Sequence, residues 1–230
     1  MKRFGLFILA AFTAIGFTSC SDSDGDYPRS WAFATVKTLE NNDYYFVLDD
    51  GKTAYPGDKS RIGAYQAEED ERAIIYFNLQ KTPVESYDYN IALYLVQDIY
   101  SGETQTVASQ EELDELADAP TSFLGSRLNS NYLNLGVGFN ASDLSKHTFK
   151  LVYFPDAEID PDNKREGYVN MEFRRDANGD EGRYNYEDRY VSFKLDAFEE
   201  LLKDKEGIIL RVHTRLNGVK YIKIDLPKER

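Results

Sequence analysis

Two histidines and one cysteine are the scarcest reactive groups in this chain, and their places limit its chemistry. The cysteine is Cys20, near the amino terminus, and the histidines are His147 and His213. That is too few ligands for a His/Cys zinc site, and a Ser/His/Asp triad would have to use one of the two imidazoles. His147, in Ser145-Lys146-His147-Thr148, reads as a turn residue, and no motif in the sequence positions a nucleophile or base for either histidine. Gly51-Lys52-Thr53 has the ending of a phosphate-binding loop, but the glycine that should open such a loop is replaced by Phe46, so a hairpin turn is the better reading. Asp176, Asn178, Asp180 and Glu187 fall at positions one, three, five and twelve of a calcium loop. Glu181 stands where that loop needs glycine and strand-like segments flank it, so an acidic hairpin loop is preferred to a metal site within 176–187. No cofactor is expected.

One cluster of charge runs against the acidic whole. In Leu210-Arg211-Val212-His213-Thr214-Arg215, strand alternation puts Arg211, His213 and Arg215 on one face, and Lys220 is expected to join them across a hairpin. Such a stripe could receive an acidic partner segment or a carboxylate; the plainer reading is a solvated strand face balanced by nearby acids. Seventeen tyrosines and a lone tryptophan raise the idea of sugar stacking. Tyr44, Tyr76, Tyr94 and Tyr190 alternate with apolar residues, however, as half-buried strand positions do. Forty acidic side chains leave a hydrolytic carboxylate pair open.

These groups sit in a chain of 230 residues, 42% hydrophobic and 14% aromatic, which is enough to bury one large or two small cores. The net charge of −13 disfavours a nucleic-acid partner, since phosphates would be repelled by most of the surface.

The first residues read as an address. Lys2 and Arg3 precede an apolar run from Phe4 to Phe17, too short for the roughly 20 residues that span a bilayer, as in a secretion signal. Phe17-Thr18-Ser19-Cys20 resembles the lipobox of bacterial lipoproteins, whose cysteine becomes the acylated first residue of the mature chain. Removal of the signal (1–19) takes away two basic and no acidic side chains, leaving 211 residues of net charge −15. At about 0.8 kcal/mol per buried CH₂, two or more acyl chains hold such a body to a membrane without any basic patch. Ser21-Asp22-Ser23-Asp24-Gly25-Asp26 opens a polar tether over 20–30 and resembles the acidic stretch that sends Bacteroides-type lipoproteins to the cell surface.

From Trp31 onward the text is mainly β. Segments 32–39, 44–48, 73–79 and 90–96 are dense in β-branched and aromatic residues, with Asn41-Asn42-Asp43 and Asp49-Asp50-Gly51 as turns. Five short strands with one longer excursion over 57–71 suit an OB-like barrel at 31–100. After a polar Ser101-Gly102-Glu103 connection, segments 132–139, 148–154, 168–173, 190–195 and 208–226 predict an antiparallel β-sandwich over 104–230. Ser109-Gln110-Glu111-Glu112 has the form of a capping box, and Asp196 with Glu199 marks a second short helix. In the last hairpin, Ile208, Leu210 and Val212 must share a face with Ile222 and Ile224, which demands an even index sum and hence an odd loop. Leu216-Asn217-Gly218 with left-handed Gly218 is the expected loop.

Trp31 to Leu48 followed by Asp49-Asp50-Gly51-Lys52, then Asp70-Glu71-Arg72-Ala73-Ile74-Ile75-Tyr76, and finally Asn131-Tyr132-Leu133-Asn134-Leu135-Gly136-Val137-Gly138, together with the lipobox, resemble the NigD-like lipoproteins of Bacteroidales. The resemblance covers essentially the whole mature chain and implies an OB-type domain followed by a β-sandwich. It also implies a bacteriocin-immunity role, and it supplies no catalytic residues. The expectation is therefore a non-enzymatic binding or protective lipoprotein of the outer membrane, facing a protein partner such as a toxin, with surface glycan binding as the alternative.

Overall fold

The computed structural model describes residues 27–156, 161–180, 182 and 185–227. The signal (1–19), Cys20, Ser21, Asp22, Asp24 and Asp26 lie outside the described residues.

Five strands, β1 (Ser30–Thr38), β2 (Tyr44–Leu48), β3 (Thr53–Asp58), β4 (Arg72–Leu79) and β5 (Tyr89–Asp98), close into a barrel in the order β1-β2-β3-β5-β4. Alternation decides the inside: Tyr44, Phe46 and Leu48 of β2 are buried while Tyr45 and Val47 between them are half-exposed. The turns follow the residue types, with Asn41 and Asn42 at φ 62° and 59° and Gly51 at φ 81°. Closure comes from β1, which pairs antiparallel with β2 on one side and β4 on the other, and from a parallel β3–β5 contact.

The second lobe is built from β6 (Tyr100–Thr106), α1 (Gln110–Glu115), β7 (Ser122–Leu128), β8 (Tyr132–Asn140), β9 (Thr148–Tyr153), β10 (Tyr168–Asp176), β11 (Tyr186–Lys194), α2 (Glu199–Leu202), β12 (Gly207–Thr214) and β13 (Gly218–Asp225). Its strands run in the order β13-β12-β10-β9-β6-β11-β8-β7 and fold over a core that includes Leu133, Leu135, Phe139, Leu151, Met171, Phe193 and Leu210. The sandwich is present, but three of its seven neighbour pairings, β10–β12, β6–β11 and β6–β9, are parallel.

Two of these three pairings belong to β6, a strand that corrects two expectations. Ser101-Gly102-Glu103 is no linker but the middle of this strand. Ser101 and Gly102 face Ser192 and Phe193 of β11, and Glu103 faces Lys150 of β9, so one strand serves both leaves of the sandwich. Only Ile99 separates it from β5. A strand entering from the barrel reaches both neighbours through long crossover connections, which permit the parallel pairing seen here and which hairpin-by-hairpin reading cannot foresee. Gly102 is required there, because a Cβ would stand 2.1 Å from the Phe193 ring.

Ser109 Oγ caps α1 by accepting from Glu112 N at 3.2 Å, while the Glu112 carboxylate reaches back to Ala108 N at 2.8 Å. Asp196 makes no corresponding cap; it pairs with Lys194 at 2.8 Å, and a 3₁₀ turn leads into α2. In the last hairpin Thr214 opposes Gly218 and Ile208 opposes Ile224, an even sum. The three-residue loop is 215–217, one residue earlier than expected, with Gly218 left-handed at φ 64°.

Candidate binding cleft and the sequence-predicted residues

Arg72, at the start of β4, is buried between the lobes. Its Nη1 lies 2.9 Å from Asp49 Oδ1 in an ion pair whose two side chains are each 4% exposed. That contact is off the line of a hydrogen bond, and the guanidinium donates instead to Thr35 Oγ1 at 3.0 Å, Asn134 Oδ1 at 3.0 Å and Ser192 Oγ at 3.1 Å. Asn134 Nδ2 closes the ring on Asp49 Oδ2 at 2.7 Å, and the Tyr132 ring lies 3.8 Å from the guanidinium carbon. Thr35, Asp49 and Arg72 belong to the barrel lobe, and Tyr132, Asn134 and Ser192 to the sandwich.

Beside this network the lobes part to leave a cleft of about 190 Å³. Phe33 and Gln97 form its barrel wall, and Leu124–Arg127 of the sheet-edge strand β7 with Tyr190 of β11 form the other. Tyr190 stands edge-on to Phe33 at 5.5 Å. Gly136 keeps the floor low: a Cβ there would only touch Leu124 and Tyr190, at 3.4 and 3.5 Å. Leu124 at the rim is 52% exposed. The one carboxylate in the cleft wall is Asp188, so it holds no facing pair for glycoside hydrolysis.

The basic stripe is tied up within the molecule. Arg211 Nη2 donates to Asp118 Oδ2 at 2.9 Å and its Nη1 lies 3.4 Å from Glu172 Oε2. His213 Nδ1 donates to the Asp118 carbonyl oxygen at 2.7 Å, and Arg174 shares both acids, at 3.6 Å from Asp118 and 2.5 Å from Glu172. Arg215 donates to Asn140 Oδ1 at 3.0 Å. Lys220 does not join them. It opposes Val212, whereas Arg211 and His213 oppose Tyr221 and Val219, so the even index sum that orders the hairpin also puts Lys220 on the other face.

His147 closes the 3₁₀ turn Leu144–Lys146, as a turn residue, but its side chain is fully enclosed. Arg175 Nη1 is 2.8 Å from His147 Nδ1, and Nε2 is 3.4 Å from Asp180 Oδ2. Arginine can only donate, so Nδ1 accepts and the proton sits on Nε2. Burial first, and then the Arg175 charge, lowers the imidazole pKa and keeps the ring neutral. Both ring nitrogens are engaged and the side chain is 0% exposed, so it meets no substrate.

Asp180, a member of the calcium-like spacing, is committed to the fold. Its carboxylate accepts from the amides of Asp143 at 2.6 Å, Ser142 at 2.7 Å and Gly182 at 3.0 Å, which hold its pKa down at about 2. Asp176 caps the Asn178 amide at 2.7 Å and Glu187 pairs with Arg189 at 2.6 Å, so the four residues do not converge. Glu181 lies outside the described residues. Among the described residues no cluster of three His, Cys, Asp or Glu side chains is placed to hold a metal.

Many tyrosines of the barrel face one another: Tyr87 stacks on Tyr55 at 5.1 Å and tilts on Tyr45 at 5.3 Å, while Lys59 lies over Tyr44 and Lys52 over Tyr89. Sequence reading missed Arg72, Asp49 and the cleft residues. A signal for the first was present, because the three segments carrying the family resemblance contribute Asp49, Arg72 and Asn134 and meet at the lobe junction.

A closed OB barrel running without a linker into a mixed β-sandwich defines the class of protein. Residues 33–99 match the NigD-like N-terminal OB domain and residues 103–226 the NigD-like C-terminal beta sandwich domain. The chain belongs to the NigD-like family. Among solved structures it is similar to a protein of unknown function from Bacteroides vulgatus (21% identity, TM-score 0.71, 86% of this chain and 90% of that one). It is also similar to a NigD-like immunity protein from Bacteroides caccae (21% identity, TM-score 0.58, 86% and 92% covered). A Bacteroides fragilis protein proposed to be a lipoprotein aligns with TM-score 0.63 at 15% identity, over 87% and 99%. At these identities the likeness bears on the fold alone. Comparison with curated protein sequences returns no match.

Proposed function

We propose that this chain is a non-enzymatic, lipid-anchored binding module of the bacterial outer membrane, displayed at the cell surface, which protects the cell by engaging a protein partner such as a bacteriocin. The immunity role is carried over from the name of the Bacteroides caccae neighbour and the family resemblance. The observation that supports a protein-binding surface is the apolar cleft at the lobe junction, with Leu124 half-exposed at its rim and Arg127 without an ion-pair partner among the described residues. Two further facts favour binding over catalysis: both histidines are spent on protein atoms, and the cleft lacks a carboxylate pair. Among the described residues no helix is long and apolar enough to cross a membrane; attachment through Cys20 rests on the lipobox-like Phe17-Thr18-Ser19-Cys20. The barrel tyrosines give the glycan alternative little support, since their faces are occupied by neighbouring rings and lysines.

Gly136→Val tests this reading, because Cβ fits but the added methyls fill the cleft. Cells lacking the protein, and cells complemented with wild type or with Gly136→Val, are challenged with bacteriocin preparations from neighbouring strains. Wild type should protect, and Gly136→Val should protect at least tenfold less at equal surface level. Equal killing of deleted and wild-type cells by every preparation would refute the immunity role.

A further inference from the structure

We propose that the outward row Trp31, Tyr76 and Leu95 lies against the lipid bilayer to which the chain is tethered, so that the barrel rests on the membrane instead of standing off it. The proposal rests on the acyl anchor at Cys20.

Trp31 opposes Tyr76, and Tyr76 opposes Leu95, so the three side chains stand side by side across β1, β4 and β5 on the outer face of the barrel. The next row on the same face, Phe33 with Ile74, is covered by the sandwich lobe. In the outer row Trp31 is 42% and Leu95 51% exposed, while Tyr76 between them is half-buried against Phe33 and Ile74. Trp31 is held edge-on to Phe33 at 5.6 Å and so keeps a fixed orientation.

The occupant follows from where the tether enters. Arg29 N donates to Asn78 Oδ1 at 2.7 Å and Asn78 Nδ2 donates to the Tyr27 carbonyl at 3.3 Å, which pins the incoming chain on β4 two residues from Tyr76. Six residues, or seven Cα-to-Cα steps, separate Cys20 from Tyr27. Even fully extended they span at most about 25 Å, less than the roughly 30 Å breadth of a small domain. An acylated cysteine therefore holds this edge of the barrel, and no other, close to the bilayer. The surroundings have the make-up of a membrane–water interface: Tyr94 accepts from Asn78 Nδ2 at 2.9 Å, and the Arg61 guanidinium sits 4.8 Å over the Tyr94 ring. Contact through an apolar row also suits an acidic protein, which an anionic surface would otherwise repel.

Trp31 is the only tryptophan, so its emission reports this contact alone. The full acylated chain is reconstituted on phosphatidylcholine vesicles with ordinary or brominated acyl chains, beside the Cys20→Ala chain and a Leu95→Glu variant. The acylated wild type should float with the vesicles, shift its emission to shorter wavelength and lose intensity on the brominated lipid. Leu95→Glu should float equally and be quenched less, and Cys20→Ala should stay in solution unquenched. A chain that floats with unquenched Trp31 overturns the membrane contact and leaves the anchor standing. Quenching equal in wild type and Leu95→Glu also overturns it. A blue shift that instead follows protein concentration without lipid makes the row a contact between copies, which overturns it too. Failure of the wild type to float overturns the anchor at Cys20 and this proposal with it.

Discussion

Removing the Arg72 side chain tests whether the lobes are one mechanical unit. Arg72→Met preserves the aliphatic stem but leaves Asp49, itself 4% exposed, as a buried carboxylate that retains Asn134 and loses its countercharge. Breaking a buried pair in this way costs about 3–5 kcal/mol, because the orphaned ion keeps its desolvation penalty. Thr35, Asn134 and Ser192 lose a donor in the same step, so the upper half of that range is expected. At about 2–4 °C per kcal/mol for a protein of this size, the melting midpoint should fall by roughly 8–20 °C. Urea unfolding followed by Trp31 fluorescence reads the barrel, and far-UV circular dichroism reads both lobes. The two curves should coincide in wild type and separate in the variant. The double variant Arg72→Met, Asp49→Leu replaces the pair with apolar groups and should recover at least half of the loss, since the uncompensated charge is gone. A cost below about 1 kcal/mol for Arg72→Met, or a double variant no more stable than the single, would show that the pair is not desolvated and refute the reasoning.

His147 carries a pH signature. Its folded pKa lies below the unfolded value of 6.5, so the unfolded chain binds more protons as pH falls through 6.5, and stability should drop below that pH with a slope of at most about 1.4 kcal/mol per pH unit, levelling off once the folded imidazole protonates too. Asp180, held near 2, contributes nothing to that window, and His147→Gln should flatten the urea midpoint between pH 7 and 5 even if it lowers it throughout. For the tether, Asp22, Asp24 and Asp26 to Asn should leave the unfolding free energy within about 0.5 kcal/mol of wild type while reducing protease shaving of intact cells; equal shaving of both proteins would make the run a plain spacer.

Four of the barrel's five strands were legible because they declare themselves locally, whereas β3, Thr53–Asp58, short and carrying Pro56 and Gly57, was not singled out. Tyr44-Tyr45-Phe46-Val47-Leu48 alternates, Asn41, Asn42 and Gly51 turn the chain, and closure then follows from few options. The helix at Ser109 was legible for the same reason, as capping is a local contract between four residues. What stayed hidden was set by partners far away in sequence. Tyr100 to Thr106 carries no apolar alternation, and its strand is specified by backbone pairing to β9 and β11, some 50 and 90 residues on. Lys220 was a different kind of miss, for the parity that fixed the loop also fixed its face. Arg72 sat at the end of a charged stretch, where an arginine ordinarily means solvent, and only the arrival of the second lobe turns it into the centre of a buried network.

That network also bears on the cleft. Phe33 and Gln97 come from one lobe and Leu124 and Tyr190 from the other, so the width of the cleft is set by how the lobes are held rather than by any one strand. Asn134 is shared: it lines the cleft and accepts from Arg72. With Ile99 alone between β5 and β6, and β6 locked between two neighbours, the junction has no hinge residue to absorb a change of angle. A rigid cleft beside an edge strand suits recognition of a preformed surface, where little ordering entropy is lost on contact. The same rigidity transmits the tether. If the anchor proposed at Cys20 holds β1 and β4 near the bilayer, it holds the cleft near it as well, one residue row away at Phe33, so a partner bound there would be met at the membrane surface.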